Sequence, residues 1–180
     1  SGMVVNLSPT TSLVGHGGWG DTRIGDFMTT PVRINDHRLI DELSNIDRDE
    51  LRSRLLSLGA ESAKILKSSL DACHTENVVV ATHVPPFRSS TWNNGRYGTI
   101  EWMPDFCCGA TGELLLEHAQ TRPDQRFIVY CGHTHGEGYH SPLPNLEVFT
   151  GTAEYNKPAV QGTINIQSGL VNDAARYPKA

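Results

Sequence analysis

Three kinds of hydrophobic pattern alternate along the chain. The first is short and extended: Met3–Leu7 and Ser12–Val14 are β-prone runs around a Ser-Pro-Thr turn, which predicts a hairpin. The second is helical. From Ile46 to Ala72, the residues Leu51, Leu55, Leu58, Ile65, Leu66 and Leu70 keep near three- and four-residue spacing, with charges on the opposite face. Asp47 is placed to cap this helix, with Glu50 in the capping-box position, and Gly59 is expected to kink or split it. The third pattern is continuous. "NVVVATH" (Asn77–His83) and "FIVYCGHTH" (Phe127–His135) are apolar runs without polar alternation, as expected for strands buried on both faces.

Between these runs, Gly112–Gln120 reads as a short helix, and Leu146–Thr150 and Val160–Ile166 read as further strands. Strand, loop, helix and strand in that order predict an α/β domain over residues 1–180, with parallel strands joined by right-handed crossovers. Two stretches resist regular structure. "GHGGWGD" (Gly15–Asp21) is too rich in glycine and opens a loop that runs to Pro31. The segment from Val84 to Cys108 holds three prolines, two tryptophans, Arg88 and Arg96; loops of that length in compact domains are often functional.

Composition narrows the picture. With 38% hydrophobic and 19% charged residues the chain is globular, and a net charge of −5 provides no basic field for nucleic acid or anionic membrane. No apolar run approaches a membrane span, and no signal-peptide pattern opens the chain. Cys73, Cys107, Cys108 and Cys131 lack Cys-x-x-Cys spacing, so a reducing, cytoplasmic setting is expected, with the cysteines serving as small buried apolar groups.

Both continuous strands end in histidine. In α/β sheets, ligands bind beyond the carboxyl ends of parallel strands, where loops diverge from a rigid edge. His133 and His135 are two residues apart, so in extended backbone both rings point the same way, and His83 joins them if the strands are neighbours. Three neutral imidazoles at one edge are the beginning of a transition-metal site.

"ATHVPPF" and "YCGHTHGEG" resemble the last two metal motifs of the calcineurin-like metallophosphoesterases, and "LVGHGGWGD", "THVPPFR" and "GTAEYNKP" are similar to a bacterial branch of that family. The resemblance implies a four-layer α/β/β/α sandwich with two metal ions at its strand ends, of which this chain would be the C-terminal part. It implies Mn²⁺, Fe²⁺ or Zn²⁺ as cofactor, with His83 and His133 as ligands of the second ion and His135 of the first. It implies hydrolysis of a phosphomonoester or phosphodiester by in-line attack of metal-bound hydroxide.

The family's other motifs are Asp-x-His, Gly-Asp-x-x-Asp and Gly-Asn-His-Asp/Glu, and none occurs. Asp71 and His74 are spaced one residue too far apart, "GDTRIGD" has the wrong separation of aspartates, and "NDH" (Asn35–His37) is out of order. Two cations roughly 3.5–4 Å apart need an anionic bridge, which three imidazoles do not supply. The expectation is therefore a partial domain that holds at most one ion and lacks turnover on its own. The rivals are an inactive metal-binding or interaction module and a mononuclear three-histidine zinc hydrolase. A half-sandwich also leaves sheet edges open, which predicts self-association.

On the substrate side, His16 is a candidate general acid toward a leaving oxygen or else a residue that stabilises its irregular loop, and Arg88 is a candidate for a phosphate oxygen through its planar fork. Trp92, Asn93, Asn94 and Arg96 are placed to shape the same rim. Trp102 and Phe106 are expected to pack beneath the loop. Glu154 and Tyr155 follow a predicted strand and are read as structural. His37, His74, His118 and His140, lacking partner spacing, are expected at the surface.

Overall fold

The computed structural model describes residues 2–166 and the backbone of residues 170–171. In chain order the elements are β1 (Val5–Ser8), β2 (Thr11–Gly15), α1 (Asp36–Leu39), α2 (Arg48–Asp71), β3 (Asn77–Ala81), β4 (Trp92–Asn93) and β5 (Arg96–Tyr97). They continue with α3 (Met103–Phe106), α4 (Gly109–Thr121), β6 (Arg126–Cys131), β7 (Gly138–Leu143), β8 (Leu146–Thr150), β9 (Ile164–Asn165) and β10 (Leu170–Val171). Six strands form one sheet in the order β1-β2-β3-β6-β8-β7. The inner four, β2, β3, β6 and β8, are mutually parallel, and β1 and β7 are antiparallel edges.

The continuous apolar runs are buried on both faces, as their lack of alternation predicts. Val78, Val80, Phe127, Val129, Leu146 and Val148 pack with Leu66 and Leu70 of α2 and Leu114 and Leu115 of α4. The alternate residues Val79, Ile128 and Phe149 are buried on the other face, where the Tyr130 ring stacks on Phe149. A second cluster of Phe27, Leu43, Leu51 and Leu55 fastens the segment after β2 along the first half of α2.

Local signals were obeyed where they were strong. The Asp47 side chain accepts the Glu50 N–H at 2.8 Å and starts α2 at the expected place. Gly59 neither kinks nor splits that helix, which runs unbroken because Gly59 is buried against Asp21. Helix α4 begins three residues before the expected Gly112, since a capping carboxylate arrives from a distant loop. Strand β7 carries Pro142, which an edge position with a break in register accommodates. Of the expected strand Val160–Ile166, only Ile164–Asn165 pairs, with Leu170–Val171. No helix among the described residues is long and apolar enough to cross a membrane.

Candidate functional site

Because β2, β3, β6 and β8 run parallel, their carboxyl ends share one edge of the sheet. His16, His83 and the His133–His135 loop lie just beyond β2, β3 and β6. Backbone hydrogen bonds tie these loops together. The N–H groups of His83 and Val84 both donate to Gly17 O at 2.9 Å, and Gly132 N donates to His83 O at 3.0 Å.

This zipper brings His83 and His133, fifty residues apart in the chain, into direct contact: His83 Nε2 and His133 Nδ1 are 3.0 Å apart. Burial, reinforced by the neighbouring His83, holds the His133 imidazole below the ordinary histidine value and favours its neutral form. His133 Nε2 faces Asp105 O at 3.4 Å, and its ring packs on Phe106.

The chain does not stay extended through Gly-His-Thr-His. His133 and His135 have φ of 67° and 61°, in the left-handed region that costs a non-glycine residue about 1 kcal/mol or more. The expectation that both rings share a direction fails for this reason. His133 meets His83, whereas the His135 ring packs on Tyr155 with centroids 4.8 Å apart.

Two acidic residues that spacing did not single out stand at the same edge. Asp36 and Asp105 line a cavity of about 240 Å³ with His83 and His133, and Asp36 also borders a second cavity, of about 540 Å³, that reaches His135 and Tyr155. Asp105 is brought there by α3, whose contact with the glycine-rich loop is so close that a Cβ at Gly20 would lie 2.1 Å from Asp105 O. His37 Nε2 lies 2.9 Å from Asp105 Oδ1, with side-chain exposures of 7% and 1%. Neither group satisfies hydrogen-bond geometry, so proximity rather than a directed bond pairs them. His37 is thus not the surface residue its spacing suggested. Nor is His118, which is buried with Nε2 3.0 Å from Asp71 Oδ1, and His140 is half-buried against Phe87.

The Asp21 carboxylate is fully buried and accepts the N–H groups of Gly109 and Ala110, the first turn of α4. It fixes the loop after β2 to the end of the Val84–Cys108 segment. The four cysteines are free and buried, and desolvation pushes the Cys131 thiol up to about 12, consistent with a packing role behind the histidine loop.

Other expected positions are less closely gathered. His16 accepts the Gly18 N–H on Nδ1 and is not among the residues lining the two histidine cavities. Arg88 is exposed at the start of a short 3₁₀ turn and also stands outside them. Asn93 does border the histidine cavity, and so do Trp102 and Phe106, which are cavity walls rather than packing beneath the loop.

Two nitrogen ligands at about 2.0–2.1 Å from one ion stand about 2.9 Å apart at right angles and about 3.4 Å apart at the tetrahedral angle usual for zinc. The His83–His133 separation lies between the two. Among the described residues, no three His, Cys, Asp or Glu side chains are grouped closely enough to hold an ion. The residues present fit two coordination positions and not a closed site. No protein-family model matches the sequence, and no curated protein sequence matches it.

Proposed function

We propose that the chain is a metal-dependent phosphoesterase module that contributes the C-terminal imidazoles of the metal centre. The observation that carries the reading is the His83–His133 contact at the carboxyl edge of a parallel sheet, with a strained backbone aiming His133. The two histidines occupy neighbouring coordination positions on one divalent transition ion, Mn²⁺, Fe²⁺ or Zn²⁺. Such an ion would supply an activated water and a Lewis acid toward a phosphoryl oxygen. His135, held on Tyr155, serves a second ion only after its ring leaves that contact. The full four-layer sandwich belongs to the same proposal, the present sheet and its helix pair accounting for two layers.

The second reading, a metal-binding module without turnover, is favoured by one specific observation: a third ligand is not gathered among the described residues. Hydrolysis of p-nitrophenyl phosphate and of its bis-ester in Mn²⁺ separates the two. Turnover that disappears in both His83→Ala and His133→Ala supports the phosphoesterase reading. Turnover that survives both substitutions overturns it, and a parent chain that stays inactive although Mn²⁺ is bound through both histidines is the outcome that the second reading shares with a partial domain.

A further inference from the structure

We propose that the cavity beside the histidine pair is a subsite for the flat heteroaromatic part of a nucleoside phosphate. The inference rests on the phosphoesterase reading for the phosphate end only. The cavity has a volume of about 720 Å³, within the roughly 300–1,000 Å³ typical of small-ligand sites. It shares Asn93, Trp102, Phe106 and Thr134 with the cavity that reaches His83 and His133, so the two are neighbours along a common wall.

Its walls come from two short elements. One is the β4–β5 hairpin, whose Asn94-Gly95 turn has φ of 48° and 71°, the positive pair that a tight two-residue turn requires. The other is α3. Between them they present two aromatic rings that are far from buried, Tyr97 at 39% and Trp102 at 44% exposure. Phe106 connects these walls to the histidines, its ring lying 5.2 Å from Trp102 and 4.6 Å from His133 by centroid.

The polar groups are of the kind that reads a base edge. Asn93 Nδ2 donates to Thr134 O at 2.9 Å, which locks the hairpin to the histidine loop. Asn94 donates to Asn93 Oδ1 and keeps its own carbonyl oxygen for a ligand's N–H. Arg96 is the charged residue of the lining, and no ion pair engages it among the described residues. Exposed rings, amides that both donate and accept, and one cation suit a stacked, hydrogen-bonding base with its anionic tail toward the histidines. An acyl chain would leave the amides and Arg96 facing hydrocarbon.

The test titrates the chain with adenosine, adenosine 5′-monophosphate and ribose 5-phosphate by calorimetry, first in EDTA and then in Mn²⁺. Stacking on one ring is worth about tenfold or more in affinity. In EDTA, adenosine and its monophosphate are expected to bind at least about tenfold more tightly than ribose 5-phosphate. Trp102→Ala is expected to remove that preference and Trp102→Phe to retain it. Equal affinity for the monophosphate and ribose 5-phosphate, or a preference untouched by Trp102→Ala in a folded variant, overturns the subsite. The EDTA arm makes its failure independent of metal: adenosine binding in EDTA, with adenosine 5′-monophosphate binding no more tightly in Mn²⁺ than in EDTA, would sustain the subsite while counting against the phosphoesterase reading.

Discussion

Asp21 Oδ2 accepts the backbone N–H of Ala110 at 2.7 Å, and its other oxygen accepts that of Gly109 at 3.0 Å. A buried carboxylate thus caps a helix that begins nearly ninety residues later, and joins two of the loops that frame the candidate site. Asp21→Ala leaves two N–H groups at a helix start without acceptors. The expected loss of stability is about 3 kcal/mol, with a smaller loss for Asp21→Asn, which keeps one side-chain carbonyl. Urea unfolding followed by circular dichroism measures both. A change below about 0.5 kcal/mol for the alanine variant, the size of an ordinary surface substitution, would contradict the capping role.

Gly59 provides a second check on the same contact. In an exposed helix, Gly→Ala stabilises by about 1 kcal/mol. Here the added Cβ would lie 2.3 Å from Asp21 Cβ, an atom fixed to the backbone rather than the tip of a flexible chain. Overpacking costs about 1–3 kcal/mol, so the net effect of Gly59→Ala is expected to be destabilising. A raised melting temperature would show that the loop after β2 yields.

The same two residues show what was legible in the sequence. Local features were readable: the Asp47 cap with Glu50, the unbroken apolar runs of β3 and β6, and the hairpin at the start each announce themselves within a few positions. Placing histidines at one sheet edge followed from parallel strands. What could not be read depends on distant partners. Nothing near Gly109 signals that Asp21 will cap it, so α4 was expected three residues late, and nothing near Gly59 signals the packing that keeps α2 straight. Asp36, His37 and Asp105 reach the edge through an irregular segment and a one-turn helix, neither of which has a hydrophobic period. The directions of His133 and His135 are not legible because alternation holds only for extended backbone, and their positive φ ends it.

His140 sets a pH dependence. Burial lowers its pKa from the ordinary 6.5. The unfolded chain then takes up the proton before the folded one does. Stability is therefore expected to be constant with respect to this group above about pH 6.5, and to fall as pH drops from there through the folded value. His140→Gln removes that contribution. Urea midpoints of the parent and the variant at pH 8 and pH 5 are expected to converge or cross at the lower pH. An identical pH slope for the two proteins would contradict it.

Strand β1 stands at the edge of the sheet with Val5 and Leu7 exposed on alternate positions, and Met3, just before it, is exposed as well. An apolar edge of this kind pairs with another chain unless blocked. We expect concentration-dependent association at tens of micromolar by light scattering, reduced by Val5→Lys. A strictly monomeric parent would contradict the edge as a contact surface.

Metal stoichiometry bears most directly on the central claim. The purified chain is loaded with Mn²⁺ or Zn²⁺, freed of excess, and its ions per chain are counted by elemental analysis. The account predicts about one ion per chain, held at the neighbouring positions that His83 and His133 supply, and its loss in both His83→Ala and His133→Ala. No retained ion, or an ion that both substitutions leave in place, would contradict it.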